Sequence, residues 1–322
     1  MKPFPKPRVV VSRCLGFEPC RYDGSILRER LITLMEPHVE FVDLCPEAQI
    51  GLGTPRLPVR LVHVGGETKL LQPGTELDAT GPMKQFLGEF FETAGEVDGF
   101  LLKSRSPSCG ISDVKVYATT ERAAAIGKGA GTFGAAVLEK FPAAAIEDEG
   151  RLRNFNLREH FLIKIFTLAR YRACVAKRST AALIEFHASH KFILMAYNQA
   201  RLREMGRAVA NPDKQPFRAV ESAYRAKLNE SLAKPARHTS HCNVLEHALG
   251  YVSDGLKPQE RRHFLATLER YRTGKLPLSS ALAIVRSWIA RFEQPYLAQQ
   301  HYFEPFPEDL IELSDSGKPR LD

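Results

Sequence analysis

The strongest constraint in this chain is a change of period near Asn156. Before it, short β-rich runs alternate with helix-like segments and turn residues, the pattern of a mainly parallel sheet with helices on its faces. The strand candidates are Arg8–Ser12, Glu40–Leu44, Arg60–Val64 and Gly99–Lys103, and a phenylalanine-rich helix over Pro82–Ala94 sends Phe86, Phe90 and Phe91 to the core. After Asn156 the apolar residues recur at helical spacing, predicting helices over Leu157–Ala176, Thr180–Gly206, Pro216–Leu232, Ser240–Gly255, Pro258–Tyr271 and Leu278–Phe292. A chain of 322 residues exceeds what one hydrophobic core organises. The expectation is an α/β domain over 1–150, Rossmann-like with a mainly parallel sheet, followed by an all-α domain over 151–322. AAAIEDEGRLRN, at 143–154, reads as the linker or as the last edge of the first sheet.

Charge separates the halves in the same place. Residues 1–150 hold 17 Lys and Arg against 20 Asp and Glu, and the rest hold 28 against 17. A basic second half suits an anionic partner such as a nucleotide, RNA or another acidic surface, and it equally suits a solvated helical surface. No apolar run approaches the ~20 residues that span a bilayer, so no membrane partner is expected. The start, MKPFPKPRVVVSRCLG, lacks the long apolar stretch and cleavage site of a secretory leader, which points to the cytoplasm.

Six cysteines are too sparse for a disulfide-stapled secreted domain, and thiols that converge in a reducing compartment more often bind metal or react. Cys14 follows VVVS, Cys45 follows VEFVDL and Cys109 follows GFLLKSRSPS, so each sits just past the carboxyl end of a strand candidate. Ligands of open α/β sheets bind at that edge, where residues distant in sequence meet. None of the three has the CxxC spacing of a zinc ribbon or the grouped cysteines of a ferredoxin. One cysteine per loop suits a cluster or catalytic metal with an open coordination position; the competing reading is three buried small hydrophobes.

The motifs VSRCLG, CRYDG, CPE, GLGTPR and KSRSPSCG, in this order, resemble the 2-thiouracil desulfidase (TudS-type) family over about residues 8–150. FHASHKFILMAYNQARLREMGR and HTSHCNVLEHALGYV resemble the YbgA-type helical domain over about 155–305, which brings no established chemistry. The first resemblance implies a [4Fe-4S] cluster on Cys14, Cys45 and Cys109, with one iron open to the sulfur of the substrate. Cys20, in CRYDG, is left as a reserve or pocket-lining thiol. The implied reaction is non-redox desulfuration of a thiolated uracil compound, base or nucleotide, to the oxo product and sulfide.

Such a reaction needs a proton shuttle, and Glu47, fixed beside a ligand by CPE, is the candidate, because burial can raise a carboxylate toward neutrality. Its alternative is an ordinary ion pair with Arg56 or Arg13. Ser106 is placed with the catalytic group and Ser108 with the substrate, although both suit turn capping. Arg13, Lys103 and Arg105 stand by the ligand loops and suit a substrate phosphate. The rival reading of another class is an RNA- or partner-binding protein with a structural metal. A sulfur-insertion enzyme would want ATP, and no P-loop is present.

Three other features carry less. Gly51 and Gly53 in GLGTPR allow close backbone approach, and GAGTFG near 129–134 matches a dinucleotide pattern without its usual first strand. His187 and His190 sit three apart, and His238, His241 and His247 lie with Cys242 in HTSHCNVLEH; three- and four-residue spacing brings side chains to one face of a helix, which would allow a zinc site. His187, His190, Lys191, Arg201, Arg203 and Arg207, interleaved with Phe192 and Tyr197, form a basic run that suits RNA or another anion.

Overall fold

The computed structural model describes residues 4–121 and 123–312. By compactness these divide into one unit of 4–169 with 307–312 and a second of Arg170–Phe306.

The strands described in the first unit are β1 (Arg8–Ser12), β2 (Glu40–Leu44), β3 (Arg60–Val64), β4 (Glu67–Gln72), β5 (Leu77–Asp78), β6 (Gly99–Leu102), β7 (Val114–Tyr117), β8 (Ala125–Gly129) and β9 (Ala145–Asp148). They form two sheets, ordered β2-β1-β6-β9 and β5-β4-β3-β7-β8. Every pairing in the first is parallel. Its central strand β1 reads RVVVS, with Val9, Val10 and Val11 all buried, the near-continuous β-branched run of a strand covered on both faces. The segment expected as a linker or last edge supplies the edge strand β9.

The second sheet is mixed, and it corrects the expectation that Arg60–Val64 joins the parallel sheet. The pairing of Val64 with Glu67 leaves Gly65 and Gly66 as a two-residue hairpin turn, both at positive φ, and this turns β4 back antiparallel on β3. Only β3 and β7 run parallel in that sheet.

Four helices accompany the sheets: α1 (Arg30–Met35), α2 (Pro46–Gln49), α3 (Thr80–Thr93) and α4 (Thr132–Lys140). Phe100, Phe133 and Val137, from β6 and α4, are fully buried at the centre of one core cluster. The phenylalanines of α3 are half-buried along its margin, with Phe90 edge-to-face on Phe133 at 5.2 Å. Met83 is the buried residue of α3 and packs with Leu61, Leu70 and Val114 beneath the mixed sheet. The expectation that those aromatics form the core itself is therefore moved one layer outward.

The rest is helical: α5 (Phe155–Ala176), in which the unit boundary falls, then α6 (Thr180–Ser189), α7 (Lys191–Tyr197), α8 (Gln199–Ala210), α9 (Phe217–Ser231), α10 (His238–Gly250), α11 (Pro258–Arg272), α12 (Leu278–Arg291) and α13 (Pro295–Gln299). The one helix expected over Thr180–Gly206 is three. His190 leaves helical ψ, and the buried Gln300 bridges that break by accepting from Phe192 N–H and donating to the Ala188 carbonyl. Asn198 is extended, and its side chain caps α8 by accepting the Arg201 N–H at 3.1 Å. No helix of the described residues is long and apolar enough to cross a membrane.

Candidate active site

Because β2, β1 and β6 are adjacent and parallel, their carboxyl ends open on one edge, and the three cysteine loops leave from it. Cys14, Cys20, Cys45 and Cys109 are all buried, all free and all on the wall of one cavity of about 640 Å³. The Arg13 N–H donates to the Leu44 carbonyl at 2.8 Å, tying the Cys14 loop to the end of β2. Cys45 stands at the extended position just before the short helix α2, whose first residue is Pro46, a position where the missing N–H costs nothing. Ser106 Oγ accepts the N–H groups of Ser108 and Cys109, at 3.3 and 3.1 Å, and so shapes the turn that presents Cys109.

That turn explains the GAGTFG motif. At the start of α4 the Gly131 N–H donates to the Gly110 carbonyl at 2.7 Å, Thr132 N–H to Pro107 at 3.0 Å and Gly134 N–H to Ser108 at 3.0 Å. The free donors that would cradle a phosphate are occupied by the Cys109 loop, and the dinucleotide reading falls. In GLGTPR, Gly51 and Gly53 have φ of +82° and +67°, and nothing lies within 4 Å of a Cβ built on either. Their glycines answer to backbone conformation, which corrects the expected close approach.

Glu47 is buried at the cavity wall and both carboxylate oxygens are engaged. Arg56 donates twice to Oε2, from Nε at 2.8 Å and a terminal nitrogen at 2.6 Å, while Ser108 Oγ donates to Oε1 at 2.9 Å. The remaining terminal nitrogen of Arg56 donates to the carbonyls of Cys20 and Gly53, at 3.0 and 2.9 Å. One guanidinium thus ties together the Cys20 loop, the Glu47 helix and the GLGTPR loop. Ser108 is fully buried, so it orients Glu47 from behind the cavity wall. A carboxylate oxygen accepts more than one hydrogen bond, and Oε1 keeps room for a water.

The thiols differ in their surroundings. Cys20 is hydrogen-bonded to Cys14, which pushes it up to about 11, and it is also bonded to Cys45. Cys45 is pushed up by its bond to Cys20 and by burial. Burial pushes Cys109 up to about 12 against the pull of hydrogen bonds from Ser12 and Ser106. Burial and the bonds between thiols favour the protonated forms of Cys20, Cys45 and Cys109, and a metal centre that takes such groups as thiolates releases protons on binding. Among the described residues no group of three or more His, Cys, Asp and Glu could hold a metal ion by itself.

The cations expected to bind substrate are not equivalent. Arg13, Lys103 and Arg105 all line the cavity. Arg13 is held by Asp43, from Nε at 2.6 Å, and by Glu18 at 3.5 Å. Lys103 Nζ is paired with the buried Glu149, which also accepts from Ser104 N–H and Oγ. Burial works to raise Glu149, yet Lys103 and Ser104 hold it below the usual carboxylate value. Arg105 is exposed, with backbone in the left-handed region at φ +60°. A non-glycine residue there carries strain, a recurring feature of ligand-facing loops. The mixed sheet adds Arg60, stacked over Tyr117 at 4.9 Å, to the same cavity wall.

Reasoning from the sequence missed Ser12 and gave Arg56 only a pairing role. Ser12 is a buried hydroxyl at the end of β1 that accepts the Lys103 N–H at 2.8 Å and bonds Cys109. Its signal was a polar residue closing the run VVVS.

In the helical unit the expected histidines find mainly aromatic partners. His187 Nδ1 lies 3.2 Å from Tyr224 Oη and His241 Nδ1 lies 2.8 Å from Tyr302 Oη, His190 stacks on Phe186 with the His301 ring 4.4 Å away, and His238 stacks on Tyr271. Burial lowers His241 to about 4 and also lowers His187. The basic run is likewise divided, since Arg201 pairs with Glu204 and Glu230.

Comparison with known proteins matches residues 9–149 to the 2-thiouracil desulfurase family and residues 191–307 to a family described as a protein of unknown function, DUF1722. The uncharacterized protein YbgA of Escherichia coli K12 is 31% identical over 158 residues, 48% of this chain and 93% of YbgA. The uncharacterized protein YbbK of Bacillus subtilis 168 is 32% identical over 111 residues, 32% of this chain and 72% of YbbK. A solved structure, the [4Fe-4S]-dependent thiouracil desulfidase TudS, is 26% identical with a TM-score of 0.36, covering 46% of this chain and 93% of TudS. The chain belongs to the 2-thiouracil desulfurase family through residues 9–149 and carries behind that segment the DUF1722 domain that it shares with YbgA.

Proposed function

We propose that this protein hydrolyses the C–S bond of thiolated uracil compounds, giving the oxo product and sulfide, at a [4Fe-4S] cluster held by Cys14, Cys45 and Cys109. The observation that carries this reading is the convergence of those buried thiols, from three parallel strands, on a cavity that also holds Glu47. The donor set fits the group: soft sulfur ligands, one per loop, with Ser12 and Ser106 bonded to Cys109 to orient it. When bound, such a cluster supplies a thiophilic Lewis acid that polarises a thiocarbonyl without net electron transfer.

The chain supplies the rest. Glu47, steadied by Arg56 and Ser108, takes a proton from the attacking water at Oε1 and returns it to the departing sulfide. Ser106 lies on the cavity wall beside Cys109, where its hydroxyl can reach that water or the heterocycle. Arg105, exposed on the same wall, is the cation best placed for a substrate phosphate; Arg13 and Lys103 set the field behind it. In this reading the chemistry belongs to the first unit, and the helical unit, Arg170–Phe306, has no assigned role.

The first test is anaerobic purification with iron and sulfide quantitation. About four irons per chain are expected, lost in Cys14→Ala, Cys45→Ala and Cys109→Ala. Stoichiometric zinc, or no iron, would remove the reading. The second compares thiouracil, thiouridine and thiouridine monophosphate. One charge-assisted phosphate contact is worth about 1.5–3 kcal/mol, so kcat/KM should favour the monophosphate roughly 10- to 100-fold. Arg105→Ala should erase most of that preference, and equal use of the free base would sink the phosphate contact while leaving desulfuration standing.

A further inference from the structure

The cavity holds one thiol more than the function above uses. Cys20 is 6% exposed and hydrogen-bonded through its sulfur to both Cys14 and Cys45. Its backbone is fixed at both polar groups. The N–H donates to the Glu18 carbonyl at 2.8 Å, and the carbonyl accepts from Arg56 at 3.0 Å and from Cys45 Sγ at 3.8 Å. The guanidinium that holds Glu47 therefore also holds Cys20. The other two cysteines of the chain, Cys174 and Cys242, belong to the helical unit, so the cysteines of this cavity number four. A cubane cluster has four irons, and the assigned ligands account for three.

From this placement we propose that Cys20 is a labile fourth ligand, bound to the otherwise open iron while no substrate is present and displaced by the thiocarbonyl sulfur. The inference rests on the cluster reading above and adds to it a resting state closed against water and oxidants. On binding, the thiol gives its proton to cavity water; on displacement it takes one back, and no electron is transferred. A permanent fourth ligand would block the substrate. A thiol that merely lined the pocket would leave the iron open in the resting protein.

The test uses the anaerobically purified full chain, with Cys20→Ala and Cys20→Ser beside the wild type. All three are expected to hold about four irons per chain. A wild type without iron would fail the cluster reading itself. A cluster lost only from the Cys20 variants would make Cys20 a permanent structural ligand and overturn the proposal. With clusters intact, the readout is the loss of one iron to limited ferricyanide, followed by the paramagnetic resonance signal of the three-iron product. Even a modest bond to Cys20, about 1.4 kcal/mol, protects the fourth iron roughly tenfold, so Cys20→Ala should lose it about ten times faster than wild type. Added 2-mercaptoethanol should change the absorbance spectrum of Cys20→Ala and leave that of wild type unchanged. KM should fall in the variant with kcat retained, because the substrate no longer competes with an internal thiolate. Equal rates of iron loss and equal responses to added thiol would overturn the proposal.

Discussion

Glu47→Gln is expected to lower kcat by about 10²- to 10⁴-fold, the usual contribution of a positioned general acid-base group, while iron content stays at the wild-type level. The amide keeps the size of the side chain and removes the group that accepts the proton. It also removes the counter-charge of Arg56: the Glu47 and Arg56 side chains are only 10% and 5% exposed, and breaking a buried pair on one side costs about 3–5 kcal/mol. Loss of activity alone would therefore not separate catalysis from folding. The separation comes from Arg56→Gln and the double variant. If Glu47 only anchors a loop through Arg56, Arg56→Gln alone should cost as much turnover as Glu47→Gln. If Glu47 moves the proton, the double variant should regain thermal stability and remain inactive. Turnover by Glu47→Gln within tenfold of wild type would sink the assignment.

The interplay of Glu47 and Arg56 marks where sequence reasoning reached its limit. CPE placed Glu47 beside a cysteine, and the strands VVVS, VEFVDL and GFLL, read from short apolar runs, became β1, β2 and β6 with the cysteines beyond them. β1 and β6 are legible because a buried parallel strand needs a continuous apolar run, and β2, at the edge of the sheet, is legible from its short apolar core between turn signals. The mixed sheet was not, because β8, AIGKG, is exposed and glycine-rich and β5 has only two residues. The Gly65–Gly66 hairpin turn was a readable signal that went unused. Helix existence in the second half followed from periodicity, but the breaks at His190 and Asn198 depend on Gln300 and on a side-chain cap, partners that period alone does not reveal. In the site, residue type was legible and partnership was not. Arg13, Lys103 and Arg105 look alike in sequence, yet Asp43 and Glu149 occupy the first two and leave Arg105 exposed.

Partnership also sets the sign of a glycine substitution. In a helix interior Ala is preferred to Gly by about 1 kcal/mol, so Gly88→Ala in α3, exposed and with nothing within 4 Å of the new Cβ, should stabilise by roughly that amount. Gly134→Ala in α4 starts from the same preference and meets the Cys109 loop. Its Cβ would stand 2.2 Å from the Gly110 carbonyl oxygen and 2.9 Å from that of Cys109. Both obstacles are backbone, so no side chain can swing aside. The loop must retreat, and with it the hydrogen bonds from Gly131, Thr132 and Gly134 that join it to α4. Overpacking of this kind costs about 1–3 kcal/mol or more, which outweighs the propensity gain. At about 2–4 °C per kcal/mol for a unit of this size, the melting temperature of Gly134→Ala should fall by several degrees while that of Gly88→Ala rises. Because the displaced loop carries Cys109, Gly134→Ala should also bind less iron, whereas Gly88→Ala should bind the wild-type amount. Calorimetry and iron quantitation on the two variants check this. A stable Gly134→Ala with full iron would show that the loop yields without cost, and that the close approach of α4 does not hold Cys109 in place.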